Sequence, residues 1–299
     1  MHKSACIKLA NIATLCLQGT GARDYLQSQF TQDVARLSTS QGIYGAVLTP
    51  QGKMIADARV IQINEHTLWM LHETAVSEAL LKRMRMFALG HELTVTLLPL
   101  TIEGYYGNAA KSLLWPMPNN TPALVTRTEG KETLLANADF MQGCWRMVSD
   151  EHPLKLSSFT MEETSLYAQR VSKGIPRFTV DCHVGDYPLN ANLREFNGIS
   201  FDKGCYVGQE ISSRMHWRKG VRHALYHISL SSLPVACPCD TITSATIGRL
   251  SSCAASGDGI YGIARLPATM MDDTTNNRDL LHTVDGVAIR ILKKCSLEL

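Results

Sequence analysis

The sequence lacks a long hydrophobic run and shows almost no excess of charge of one sign. Its first apolar stretch, residues 7–17, is too short and too interrupted to cross a membrane. The residues before it resemble neither a secretory signal nor an arginine-rich transit peptide. With 29 basic and 27 acidic residues, the net charge of +2 does not indicate nucleic-acid binding. We therefore expect a cytoplasmic protein with no membrane and no direct nucleic-acid partner.

The sequence also lacks paired cysteines at the spacing of zinc sites. It contains nine cysteines, an odd number, and the close pair Cys237-Pro238-Cys239 has one intervening residue instead of two or more. No second pair or histidine spacing completes a site around it, so this stretch predicts a turn. Reduced thiols are expected rather than a disulfide framework.

Composition and patterning predict a mixed globular protein with a separate all-β end. The chain has 299 residues, 45% of them hydrophobic and 19% charged, and it is long enough for one large domain or for two to three ordinary ones. Helical spacing and strand-like alternation are interspersed up to a boundary near Lys219-Gly220. Beyond it, Tyr226, Ile228 and Leu230 alternate with polar residues and no helical period appears. We predict α+β structure followed by a small β-barrel.

The most distinctive chemistry lies in residues 199–211. Ile199 and Phe201 alternate with Ser200, which predicts a short strand, and a helix is predicted from about Tyr206. Cys205 would then open the helix beside Lys203, and both the helix dipole and the ammonium would favour a thiolate. The residues alone leave a second interpretation open, a buried and inert cysteine on a tight turn.

Residues 200–210, which we term the signature segment, read Ser-Phe-Asp-Lys-Gly-Cys-Tyr-Val-Gly-Gln-Glu. They closely resemble the signature of the YgfZ family, folate-binding proteins related to the glycine-cleavage aminomethyltransferases and to a mitochondrial iron–sulfur assembly factor. Within residues 19–34, which we term the N-terminal block, the matching residues are Gly19, 25–27, Gln29 and 31–34, and residues 51–53, a predicted hairpin turn, fit the same family. Asn192-Leu193 before the signature and Arg214 after it also match.

The resemblance implies an α+β fold with three lobes arranged as a ring. A discontinuous first lobe would comprise residues 1–40 and 110–219, with a second lobe, residues 41–109, inserted in it. Residues 220–299 would form the C-terminal β-barrel. A monomer is expected.

The resemblance also implies binding of tetrahydrofolate or a derivative, and support for assembly or repair of iron–sulfur enzymes, including some that modify transfer RNA. The partners would be those enzymes or cluster-assembly proteins. Cys205, assisted by Lys203, would be the functional thiol; it could accept a sulfur, ligate iron transiently or form a mixed disulfide with a partner. No resident metal is implied. The implied cofactor-binding residues are Asn192, Gly204, Tyr206, Gly208, Gln209, Glu210 and Arg214.

Departures from the family and an alternative function accompany this expectation. Ile12 and Leu166 stand where the family is expected to present tryptophans, so folate would lose aromatic stacking there. The alternative is a folate-dependent, aminomethyltransferase-like enzyme of one-carbon transfer. That chemistry needs a carboxylate near the folate nitrogen, and Glu73 and Glu78 are the loosely matching candidates.

Overall fold

The chain folds into two compact units. In the computed structural model the first unit comprises Met1–Glu162, Asn197–Gln209 and Leu297–Leu299, and the second comprises Glu163–Phe196 and Glu210–Ser296. The structure describes residues 5–107, 110, 124–129, 132–136, 143–149, 162–218, 220–242, 246–257, 259–271, 281–283 and 286–297.

A ten-stranded antiparallel sheet forms the framework of the first unit. Its order is β1-β7-β10-β9-β8-β3-β4-β5-β2-β6, and β3 and β8 pair only briefly, at Gln41 with Val125 and Gly42 with Leu124. The strands are β1 Ala5–Lys8, β2 Ile12–Gln18, β3 Gln41–Leu48, β4 Met54–Asn64, β5 Thr67–Glu73, β6 Thr94–Leu98, β7 Leu100–Tyr106, β8 Leu124–Glu129, β9 Glu132–Ala136 and β10 Cys144–Ser149.

Two amphipathic helices of the first unit, α1 Ala22–Gln29 and α2 Ser77–Phe87, pack on this sheet. Helix α1 buries Tyr25 and Leu26, and α2 buries Leu80 and Met84, at the spacing that keeps such residues on one helical face. The Tyr25 hydroxyl donates a 2.6 Å hydrogen bond to the Met84 carbonyl. Short 3-10 turns at Val34–Arg36 and Thr74–Val76 complete the described helical segments of this unit.

The second unit contains a closed antiparallel barrel of six strands, which confirms the predicted C-terminal β-barrel. The barrel order is β11-β14-β13-β12-β15-β16, and inward residues of β11, such as Tyr226 and Ile228, fill its core. Its strands are β11 His223–Leu230, β12 Cys239–Ile242, β13 Thr246–Ser256, β14 Gly259–Pro267, β15 Leu281–Thr283 and β16 Ala288–Lys294. Two helices, α3 Glu163–Ser172 and α4 Gln209–Trp217, and a 3-10 turn at Ala268–Met271 precede or join them.

Helix α3 is fixed to the barrel by a buried ion pair. The Arg170 guanidinium donates a 2.6 Å hydrogen bond from Nη1 to Asp181 Oδ2, and its Nη2 donates to the Ser252 hydroxyl at 3.1 Å. Ser252 in turn donates to Asp181 Oδ1. Because Ser252 lies on β13, this network joins α3, the loop after it and the barrel wall.

The lobe boundaries expected from the resemblance stay a prediction, and residue 219 lies outside the described residues. In the part of the chain that the structure describes, no helix is long and apolar enough to cross a membrane.

Candidate functional site

The signature segment packs against the N-terminal block within the first unit. The Ser200 amide donates to the Thr31 carbonyl, and the Val207 amide donates to the Ser28 carbonyl, both at 3.0 Å. The Thr31 hydroxyl also donates a 2.6 Å hydrogen bond to the carbonyl of Gly198, 167 residues away in the chain. Two of the motifs that carry the family resemblance are therefore in direct contact.

Gly208 brings the third motif, the hairpin turn between β3 and β4, to the same place. A Cβ atom at Gly208 would lie 2.6 Å from the Thr49 carbonyl oxygen and 3.0 Å from the Gly52 Cα. The φ of Gly208 is +84°, in the left-handed region that favours glycine. Both the close approach and the backbone conformation require glycine here.

Lys203 attaches the signature segment to the C-terminal end of α1. Its ammonium donates to the carbonyls of Gln27, Phe30 and Gln32 at 2.7, 2.8 and 3.1 Å. An ammonium has three N–H donors, so all of them are engaged. A cation at this position also interacts favourably with the negative end of the helix dipole. The same ammonium lies 5.1 Å from the centre of the Tyr206 ring.

Burial lowers the pKa of Lys203 to about 8, and the Asp33 carboxylate acts in the opposite direction. The sequence suggested that Lys203 would serve as the cation beside Cys205. The structure directs its ammonium at the end of α1, where it holds the loop that carries the cysteine, and its effect on the Cys205 thiol stays a prediction.

Cys205 is exposed and lies in irregular structure ahead of α4. The expectation that it opens the helix is wrong, because α4 begins at Gln209. The strand expected around Ser200 is also absent from this described stretch, since the Ser200 amide bonds to the N-terminal block instead of to a neighbouring strand. Exposure excludes the alternative of a buried, inert thiol. A Cβ on Gly204 would meet no atom within 4 Å, so the approach to Cys205 is open on that side.

The two signature glycines should respond differently to alanine. Gly208→Ala is expected to lower the free energy of unfolding by roughly 2 kcal/mol or more, because alanine is strained at this φ and meets the turn backbone. Gly204→Ala, the matched control, should change it by less than about 0.5 kcal/mol, since its backbone is not left-handed and its surroundings are open. Urea unfolding of both variants measures the difference, and equal midpoints would contradict this account of the packing.

A row of cross-strand neighbours in the same unit places two carboxylates side by side. Ile12 on β2 is opposite Glu73 on β5, and Ala46 on β3 is opposite Asp57 on β4. In the pairing of β4 with β5, Arg59 is opposite Leu71. Two residues further along the same register, Asp57 is opposite Glu73. Directly opposed residues share a face of the sheet. Glu73 is thus part of this row, whereas Glu78 is exposed on α2.

Asp57 is a buried carboxyl that the sequence analysis missed. Burial raises its pKa, and the nearby Arg59 charge and the Tyr44 hydroxyl oppose this effect. The Tyr44 hydroxyl donates to Oδ2 at 2.8 Å, and Arg59 Nη1 lies 3.4 Å from the same oxygen. Oδ1 has no hydrogen-bond partner among the described residues. A single carboxylate inside the otherwise apolar start of β4 was the signal that could have revealed it.

Two aromatic rings lie near the guanidinium of Arg59, which is next to Asp57. The guanidinium carbon lies 4.9 Å from the Tyr44 ring centre and 5.6 Å from that of Trp145. The Trp145 indole N–H is buried and, within the described part of the chain, finds no acceptor. An unpaired donor on Trp145 and an unpaired acceptor on Asp57 therefore both lie beside Arg59. We term Tyr44, Asp57, Arg59 and Trp145 the Asp57 cluster.

The remaining signature residues have structural partners. Tyr206 is buried, and its amide donates to the Gln209 side-chain oxygen at 3.3 Å, which closes the turn into α4. Glu210 and Arg214 pair with each other across one turn of α4 at 2.5 Å, and both are exposed. Their charges are accessible to a partner or ligand.

Asn192 is fully buried inside the second unit. Its amide nitrogen donates to the carbonyls of Leu225 and Cys295 at 2.8 and 2.9 Å, and its oxygen accepts from the Leu225 amide at 2.9 Å. These bonds join β11 to the chain after β16. The Asn192 side chain thereby holds the barrel wall together.

The described residues include no group of three or more histidine, cysteine, aspartate or glutamate side chains arranged to hold a metal. Ile12 is buried in β2, and Leu166 is partly buried in α3.

No family model matches the chain. The chain is 27% identical to the tRNA-modifying protein YgfZ of Vibrio vulnificus over 233 residues, and this alignment covers 76% of this chain and 71% of that protein. It is 26% identical over 280 residues to the mitochondrial iron-sulfur cluster assembly factor IBA57 of Mus musculus, covering 87% of this chain and 77% of that factor.

A solved structure with the same fold is aminomethyltransferase T of the glycine cleavage system from Bartonella henselae. The TM-score is 0.82, with 99% of this chain and 86% of that chain covered, at 14% identity. This likeness shows the fold alone, and it confirms the predicted α+β class of the aminomethyltransferase type. The resemblance of the chain to the YgfZ family is thus confirmed by relatives named YgfZ and IBA57 and by a fold shared with aminomethyltransferase T.

Proposed function

We propose that this chain is a tetrahydrofolate-binding accessory protein that supports assembly or repair of iron–sulfur enzymes, tRNA-modifying ones among them, through the Cys205 thiol. The observation that carries the proposal is an exposed cysteine on a loop whose flanking residues are fixed to the N-terminal block and the hairpin turn. Relatives named as a tRNA-modifying protein and an iron-sulfur cluster assembly factor support this context.

The arrangement around Cys205 suits a thiol that acts on a partner. Lys203 and Gly208 hold the two sides of the loop, while Gly204 leaves the thiol accessible. Iron–sulfur clusters normally need about four thiolate ligands, so a single cysteine cannot keep one. A partner must supply the other ligands, and the cluster or its sulfur is cargo.

The fit to a folate rests on the Asp57 cluster. A pterin ring carries both N–H donors and acceptors, so Asp57 Oδ1 would accept from it and the Trp145 indole would donate to it. Tyr44 and Trp145 would supply aromatic surface that Ile12 does not. When bound, a reduced folate supplies nitrogens that can carry a one-carbon unit.

Calorimetric titration of the full chain with tetrahydrofolate tests this half of the proposal. Asp57→Asn and Trp145→Phe should each weaken binding about 10- to 100-fold, because each removes one hydrogen bond from a buried ligand. Asp24→Asn, on the exposed face of α1, is the control and should bind as the parent does. Absence of binding by every reduced folate would refute the ligand assignment and leave the role of Cys205 to its own test.

The buried Asp57 carboxyl also favours a second candidate function, aminomethyltransferase-like one-carbon transfer. A carboxyl with a raised pKa is suited to positioning an amine or exchanging a proton with it. An assay with a purified aminomethyl carrier protein and tetrahydrofolate distinguishes the two functions. Turnover that Asp57→Asn abolishes would establish the enzyme, and no turnover would leave the accessory role.

A further inference from the structure

Three cysteines that the proposed function does not use meet on the barrel at β12 and β13. Cys239 is opposite Leu250 in the antiparallel pairing of these strands. Cys237 is two residues before Cys239, and Cys253 is three residues after Leu250, so the antiparallel pairing leaves the two cysteines one position from direct opposition. Their side chains are hydrogen-bonded to each other. Two thiols in hydrogen-bond contact on adjacent segments need only a local shift to reach the separation that a disulfide requires.

The two thiols have different surroundings. Cys253 lies within β13, where its amide donates to the Tyr167 hydroxyl at 3.2 Å, and its neighbour Ser252 belongs to the buried Arg170–Asp181 network. Cys237 is exposed and lies in a bend just before β12. One thiol is therefore held in position, and the other is accessible from solvent.

The hydrogen bond also makes the two thiols chemically unequal. It lowers the pKa of Cys253, against the effect of burial, and it raises the pKa of Cys237, whose sulfur is partly desolvated by its neighbours although the residue is exposed. Cys237 is thus the donor, and the Cys253 sulfur is the better nucleophile.

We propose that Cys237 and Cys253 form a redox-active dithiol that low-molecular-weight disulfides, such as oxidised glutathione, convert into an intramolecular disulfide. The Cys253 thiolate attacks one sulfur of the oxidised glutathione, which forms a mixed disulfide and releases one glutathione thiolate. Cys237 then loses its proton and attacks the Cys253 sulfur, which releases the second glutathione thiolate. Two protein thiols are oxidised, and one small-molecule disulfide is reduced to two thiols.

The pair, rather than a metal, is the chemistry that this cluster supports. In the described ranges no three histidine, cysteine, aspartate or glutamate side chains are arranged to hold a metal, and this also applies to Cys237, Cys239 and Cys253. Once the first thiol is glutathionylated, the hydrogen bond that suppresses ionisation of Cys237 is gone, so the resolving step becomes easier. The product would join the segment before β12 to β13 covalently.

The experiment incubates the reduced full-length chain with oxidised glutathione, blocks the remaining thiols by alkylation and maps tryptic peptides by mass spectrometry. Trypsin cuts after Arg222, Arg249 and Arg265, so Cys237 and Cys253 fall in different peptides. We expect a cross-linked pair of these peptides. Cys237→Ser should instead accumulate glutathione on Cys253, and Cys253→Ser should slow thiol loss from Cys237 about tenfold.

Two comparisons make the result decisive. Cys239→Ser is the control and should keep the cross-link, because Cys239 is not one of the reacting pair. Exposed Cys205 reports that the reagent has acted. A cross-link that Cys239→Ser removes, or reduced Cys237 and Cys253 in a sample whose Cys205 is fully glutathionylated, would overturn the proposal.

Discussion

Replacing Cys205 by serine is expected to lower the proposed support of iron–sulfur enzymes about tenfold or more while leaving the stability of the chain unchanged. The side chain is exposed, so loss of the sulfur should change the free energy of unfolding by less than about 0.5 kcal/mol. A serine hydroxyl is a far weaker nucleophile and a poor ligand for iron–sulfur chemistry. The measurement is the activity of an iron–sulfur enzyme in cells that lack this function and carry the variant, with an expected fall of about tenfold or more.

Cys237→Ser is the matched control for this prediction. It makes the same atomic change at the other cysteine that the structure describes as exposed, and under reducing conditions it should restore activity as the parent chain does. Tetrahydrofolate affinity should also be equal in the parent and in Cys205→Ser, which separates the thiol from the ligand. Full restoration by Cys205→Ser would refute the thiol mechanism.

The barrel could be predicted from sequence because its signal is local. Alternating Tyr226, Ile228 and Leu230 occupy one side of a strand, and all three are buried in the barrel core. The two helices of the first unit carry a signal of the same kind, since apolar residues recur at helical spacing within each of them. Periodicity within ten residues is sufficient for these elements.

The candidate site could be located from the signature, but its contacts could not. Lys203 bonds to carbonyls that precede it by 171 to 176 residues, and no local pattern contains that information. Sequence proximity alone predicts that the Lys203 ammonium interacts with the thiol of Cys205, two residues later. Ser200 was similarly placed in a strand, because its alternation gave no sign of a distant backbone acceptor.

Asp57 shows a different limit of sequence reasoning. A charged residue in an apolar strand is compatible with an edge, a bulge or a buried site, and only the register of the neighbouring strands places Glu73 beside it. Glu73, the loosely matching candidate, lies in the same row, and the oxygen without a hydrogen-bond partner among the described residues belongs to Asp57. The pairing of β4 with β5 therefore determines that the carboxylates of Asp57 and Glu73 are neighbours.

The largest effect on stability is expected from Asp181→Asn in the second unit. Asp181 is 1% exposed and accepts from Arg170, from Ser252 and from the Arg177 amide, so its charge compensates a buried guanidinium. Removing one partner of a buried ion pair leaves the other charge without compensation, at a cost of about 3–5 kcal/mol. Urea unfolding of the full chain, monitored by circular dichroism, measures the lowered urea midpoint of the variant.

Two further variants determine whether the cost arises from an uncompensated charge. Glu210→Gln removes one partner of the exposed pair with Arg214, and exposed pairs contribute about 0–1 kcal/mol, so this control should remain close to the parent. Arg170→Met combined with Asp181→Leu removes both charges, and it should recover most of the stability that Asp181→Asn loses. If the double variant were less stable than Asp181→Asn, the network would act through its hydrogen-bond geometry to β13, and charge compensation would not be its main contribution.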